Sequence, residues 1–243
     1  MQFYDATGSL TFIACTGLSL YYPFLRRGLP LPSPLSFAPR QLLATAGVSL
    51  WAARLGSFLY QRIKRSGSDS RFDEIKHSPP KFAGAWFAQG VWISLTALPV
   101  FAINAIPAAA HPALGLRDLA AVAVWVAAFV CEVVADRQKS AWRADKEAKK
   151  HDEHFISSGL WAYSRHPNYV GEVGLWAAQF LLAFGVLAKT GGVGGLVPGW
   201  LKWAALASPL AEYLLIRYVS GVPLLEVSDV WSPSARLERG FFG

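Results

Sequence analysis

Charged residues are scarce in this 243-residue, 26.5 kDa chain: Asp, Glu, Lys and Arg make up 16% of it, against about a quarter in ordinary soluble domains. That shortage excludes a disordered chain and a coiled coil, and no glycine period suggests collagen. Cysteine is scarce too. Cys15 and Cys131 both lie inside apolar runs, so they read as small buried hydrophobes and offer neither a disulfide framework nor a zinc site. What is plentiful is apolar: 53% of residues are hydrophobic, with 10 Trp and 15 Phe, and the mean hydropathy is +0.30. Lipid is therefore the expected solvent. The net charge of +7 does not indicate nucleic acid, because the basic residues crowd the gaps between apolar runs instead of marking one face of a soluble fold.

A bilayer core about 30 Å thick needs roughly 20 apolar residues in a helix. Six such runs are present: Ala6 to Leu25, about Gln41 to Tyr60, about Phe82 to Ile106, about Leu116 to Ala135, about Tyr169 to Leu187, and about Leu196 to Val219. The expected fold class is an all-α, polytopic membrane bundle of six spans in a single domain. Pro23, Pro30, Pro32, Pro34 and Pro39 make the stretch around Arg26 to Arg40 a connector, and Pro99 is expected to kink the third span. The glycine-rich Thr190 to Gly195 has no preceding strand and no following Lys-Ser/Thr, so it reads as a turn and not a phosphate loop. The Lys and Arg other than Arg54 divide sixteen to six between the two sides, which predicts that both termini and the long polar loops face the cytosol.

Ionisable groups inside apolar spans each cost about 2.5 to 3.5 kcal/mol on insertion scales, so each asks for a partner or a role. Glu132, Asp136, Lys139 and Arg143 recur at spacings of four, three and four, along one stripe of a helix that begins in lipid and ends in water. The stripe suits either an amphipathic helix end or a ligand site. Pro167 is well placed in the first turn of the fifth span, where its missing N–H costs nothing. Arg165 and His166 then flank a helix amino terminus, which suits a phosphate or carboxylate. Asn168 and Glu172 lie one turn apart on one face, able to hydrogen-bond an amide or a ribose hydroxyl. The same segment also reads as a headgroup-level anchor built from Trp161, Tyr163 and Tyr169 with a snorkelling Arg165. Arg54 and Glu212 are the remaining buried charges, and each could be the other's partner. A metal site at His151 and His154 lacks further ligands.

The run Tyr163-Ser164-Arg165-His166-Pro167-Asn168-Tyr169-Val170-Gly171-Glu172, preceded by Gly159-Leu160-Trp161, resembles the carboxy-terminal signature of the steroid 5α-reductase-like integral membrane proteins, in particular their branch of small membrane proteins. Arg71-Phe72-Asp73-Glu74-Ile75, Lys81-Phe82, Trp86, Gln89, Trp92, Leu98-Pro99, Asn104 and Ala135-Asp136-Arg137-Gln138-Lys139 follow that branch in order. The resemblance implies a cytosolic half, about 116–226, that binds NADPH, and a membrane half that admits a flat, lipid- or sterol-like enone. It implies that Glu132, Asp136 and Arg143 line the adenine and phosphate side. Tyr163, Asn168 and Glu172 would hold the nicotinamide end, with Arg165 and His166 near the phosphates. The implied reaction is hydride transfer to an activated C=C bond while a proton donor polarises the conjugated carbonyl. For that donor Arg54, Tyr60 and Gln89 are positional candidates only, and the catalytic acid is unassigned. A eukaryotic source would imply the endoplasmic reticulum membrane.

The resemblance ends at Glu226, and the tail 227–243 departs from it, with no tyrosine after Tyr218. Isoprenylcysteine-type and phospholipid methyltransferases share an Arg-His-Pro-x-Tyr sequence, so an S-adenosylmethionine-dependent methyltransferase is the alternative chemistry. A non-catalytic membrane protein of the same fold is the third reading.

Overall fold

The computed structural model describes residues 4–66, 77–192 and 195–221. The Arg71-Phe72-Asp73-Glu74-Ile75 loop, and the tail from Val222 onward with Glu226, lie outside the described residues. The architecture is an all-helical bundle. Among the described residues four helices are long and apolar enough to cross a membrane: α1 (Tyr4–Arg26), α2 (Pro39–Ser66), α5 (Leu116–Glu147) and α6 (Pro167–Thr190). Two shorter helices, α3 (Pro79–Thr96) and α4 (Leu98–Asn104), make a fifth crossing if taken as one span bent by 54°. Pro99 is the cause of the bend. It has no N–H to extend the α3 ladder, and the Val100 N–H turns instead to the Ala97 carbonyl at 3.0 Å.

The expected sixth span is broken into α7 (Leu201–Ala204), α8 (Ala207–Leu215) and a π-helical turn, Ile216–Ser220. Hydropathy alone could not show this, because the interruption comes from Pro209. With no N–H there, the Ala205 carbonyl takes a tighter bond from Ser208 N at 3.2 Å. The two breaks meet in space. Ser208 Oγ donates to the Thr96 carbonyl at 2.6 Å, so one broken helix satisfies the backbone group exposed by the other.

An aromatic layer fills the centre. Phe12 of α1 packs edge-on against Trp51 of α2 and Trp92 of α3, with ring centroids at 5.1 and 5.0 Å, and Trp176 of α6 lies 5.0 Å from Trp51. Trp51 precedes Arg54 by one turn, Trp92 precedes Thr96 by one turn, and Trp176 follows Glu172 by one turn. The layer is therefore the apolar floor beneath a set of polar groups. Cys15 and Cys131 are free and half-buried.

Candidate functional site

Glu132 and Asp136 sit on adjacent turns of α5, as their spacing requires, and both are buried. Arg54 reaches them from α2: Nη1 is 2.6 Å from Glu132 Oε1 and Nη2 is 2.5 Å from Asp136 Oδ2. Arg54 is thus paired with α5. The pairing of Arg54 with Glu212 considered from sequence does not form, because α8 packs on the α3 and α6 side of the bundle.

α6 supplies the next wall. It begins at Pro167 with His166 as its cap residue, as the motif predicts. Its approach to α5 depends on Gly171, where a Cβ would stand 2.7 Å from the Ala128 carbonyl oxygen and 2.8 Å from Glu132 N. That proximity brings Asn168 to the acidic stripe, and Asn168 Nδ2 donates to Asp136 Oδ1 at 3.3 Å. Asp136 now serves Arg54 with one oxygen and Asn168 with the other. Two acceptors remain open, Asn168 Oδ1 and Glu132 Oε2. The Trp51 indole lies beside Glu132 without closing a well-formed bond, since its Nε1 is also open.

Glu172, one turn beyond Asn168, meets the carboxyl group of Glu212 from α8. Glu212 is 1% exposed. Its Oε2 accepts from Trp92 Nε1 at 2.7 Å and, more distantly, from Thr96 Oγ1 at 3.5 Å. Four carboxyl groups from three helices therefore gather on the inner side of Arg54. Trp51 and Trp92 were not read from the sequence as parts of this site. Their signal was the one-turn spacing of Trp51 from Arg54 and of Trp92 from Thr96, which only becomes meaningful when the helices are placed.

The outer rim is basic. Tyr169 lies within electrostatic reach of Arg62 and Arg143 as well as Asp136 and Glu172, and the His166 ring stacks on it with centroids 5.3 Å apart. Arg143 and Arg165 are exposed on this rim. Tyr163, expected at the nicotinamide end, is 91% exposed, and among the described residues its side chain makes no contact with the cluster. The Gly159-Leu160-Trp161 segment is a clamp. Leu160 N donates to Gln138 Oε1 at 3.0 Å, Trp161 Nε1 donates to the Ala135 carbonyl at 3.1 Å, and Lys139 Nζ sits 4.7 Å from the Trp161 ring centre. Of the positional candidates for a proton donor only Arg54 is in the cluster. Gln89 is buried against α1, donating to the Tyr4 carbonyl at 3.4 Å, and Tyr60 is half exposed.

A family model described as a protein of unknown function, DUF1295, matches residues 2–236. The chain belongs to the DUF1295 family. An uncharacterized protein from Schizosaccharomyces pombe is 27% identical to it over 211 residues, covering 76% of this chain and 58% of the relative. This DUF1295 chain thus spans less than two thirds of that relative's length. No solved structure matches it. The DUF1295 match takes in every helix that contributes to the cluster, from Arg54 on α2 to Glu212 on α8.

Proposed function

We propose that this protein is a membrane-embedded NAD(P)H-dependent reductase of a C=C bond conjugated to a carbonyl, in a lipid- or sterol-like substrate. The observation that carries the reading is the contact of Asn168 with Asp136, which joins the start of α6 to the acidic stripe of α5 and leaves Asn168 Oδ1 and Glu132 Oε2 as open acceptors. The residues fit the cofactor in two parts. Buried open acceptors suit the amide and hydroxyl donors of a nicotinamide riboside, because an unpaired buried polar atom costs about 1–3 kcal/mol until a partner reaches it. The basic rim of Arg62, Arg143 and Arg165 suits phosphates, which guanidinium groups bind through paired N–H donors.

NADPH, when bound, supplies the hydride. The reduction also takes up one proton, which calls for an acid beside the substrate carbonyl, and the protein's other groups bind, orient and shield. Asn168 and Glu172 orient the cofactor's reactive ring, Arg54 holds Glu132 and Asp136 in place, and the Phe12, Trp51, Trp92 and Trp176 layer keeps water from the reacting carbon. Resemblance to the steroid 5α-reductase-like proteins supports the same assignment, with the basic end facing the cytosol by the charge bias of the loops.

The test is ligand-dependent melting of the detergent-solubilised protein. NADPH at 100 times its dissociation constant should stabilise by about 2.7 kcal/mol, and Asn168→Ala or Glu172→Ala should remove that shift while the protein still folds. Stabilisation by S-adenosylmethionine in its place would assign the site to a methyltransferase, and stabilisation by neither would leave a non-catalytic member of the fold.

A further inference from the structure

At the other end of the bundle a second feature stands apart from the carboxyl cluster. The bend at Pro99 turns α4 away from the course of α3 by 54°, and a cavity of about 840 Å³ opens between α4 and α1. Phe101 and Ala105 of α4 line one side, and Cys15 and Tyr22 of α1 line the other. The trough runs along α1 from Cys15 to Arg26, about 16 Å at 1.5 Å per residue, which matches the ~15 Å hydrocarbon depth of a single leaflet.

Arg26 and Arg27 stand at its mouth, and both are exposed. α1 ends there because the Gly28 N–H turns back to the Leu25 carbonyl at 3.2 Å and the Leu29 N–H to the Phe24 carbonyl at 3.0 Å. The two guanidinium groups therefore emerge together at the carbonyl end of the helix, which favours cations. Among the described residues neither makes an ion pair. Asp118, an acid at this end, is already held by Arg40. An apolar trough one leaflet long thus opens beside two adjacent positive charges that form no ion pair among the described residues.

We propose that this groove holds one anionic phospholipid, with its phosphate on Arg26 and Arg27 and one acyl chain along α1 between Tyr22 and Phe101. Paired guanidinium groups recognise the phosphate. A zwitterionic lipid carries the same phosphate, but its own cation opposes the arginines, so a preference for net negative headgroups follows. The inference does not depend on the reductase reading.

Native mass spectrometry of the full chain, exchanged into micelles with equal amounts of phosphatidylglycerol and phosphatidylcholine, tests it. The expected result is retention of one phosphatidylglycerol with about tenfold preference. Arg26→Gln with Arg27→Gln should abolish that preference without changing the melting temperature, since both side chains are exposed. Ala105→Trp, which narrows the trough and leaves the arginines intact, should reduce retention of both lipids. Equal retention of the two lipids by the native protein, or an undiminished preference in the double variant, would overturn the proposal. So would full displacement of the lipid by soluble glycerol 3-phosphate, which would show a phosphate site with no role for the trough.

Discussion

Arg40 and Arg54 both project from α2 onto acids of α5, and the two meetings are the same distance apart on each helix. Arg54 follows Arg40 by 14 residues, and Glu132 follows Asp118 by 14, close to four turns and about 21 Å. Yet the two ends differ in completeness. Arg40 grips Asp118 with Nε and Nη2, both at 2.8 Å. Asp118 also accepts from Gly115 N at 2.8 Å, and Arg40 Nη1 donates to the Pro112 carbonyl at 3.2 Å. One cation meets one anion and every oxygen is engaged. At the Arg54 end one guanidinium divides itself between two carboxylates, two further glutamates stand behind them, and acceptors are left open. A buried pair that is fully satisfied is a fastening. One that is over-acidic and incomplete leaves room for a ligand, and the contrast separates structure from site within the same two helices.

The contrast can be broken by substitution. The largest loss is expected from Asp118→Ala, which strands a buried guanidinium and should cost about 3–5 kcal/mol in detergent unfolding. Next comes Gly171→Ala. Its new methyl group must push α6 from α5 against backbone atoms, costing about 1–3 kcal/mol and weakening any NADPH-dependent shift by withdrawing Asn168 from Asp136. Glu132→Gln should change stability by less than about 1 kcal/mol, because Arg54 keeps Asp136 and the crowd of carboxyl groups is thinned. Equal losses in Asp118→Ala and Glu132→Gln would erase the distinction between the ends.

The smallest effect expected is a pH dependence confined to the Arg40 end. Burial, with the nearby Arg40 charge adding to it, holds His111 below its ordinary value of 6.5, although its bond to the Ile106 carbonyl acts the other way. Its ring Nδ1 lies 3.5 Å from Arg40 Nη1, and Asp118, the neighbouring acid, is occupied by Arg40. Because the unfolded chain protonates this residue first, the stability due to neutral His111 is complete above about pH 6.5 and declines as the pH falls from there toward the lowered folded value. Melting curves of native protein and His111→Gln should diverge as the pH drops below about 6.5. Parallel curves would show that the ring does not report on this end.

Much of the architecture was legible because each inference stayed within one helix. The Glu132 and Asp136 stripe, the start of α6 at Pro167 and the bend at Pro99 follow from spacing and from a missing N–H. Tyr163 stands exposed, outside the carboxyl cluster, for a related reason. A motif gives the order of residues, but the loop before Pro167 decides which of them face inward, and there the inward side chain is Trp161. The breakage of the sixth apolar run was illegible to hydropathy, since the Pro209 interruption leaves the average unchanged.

The sequence alone determined that the chain lives in lipid as a helical bundle, and which polar residues share a face of the same helix, because 3.6-residue periodicity and transfer energies are local properties. Only the tertiary structure decided that Arg54 answers to Glu132 and Asp136 and that Glu212 turns to Glu172 and Trp92. Which face of one helix meets which face of another is set by close contacts such as Gly171 against Ala128, and such contacts leave no period along the chain.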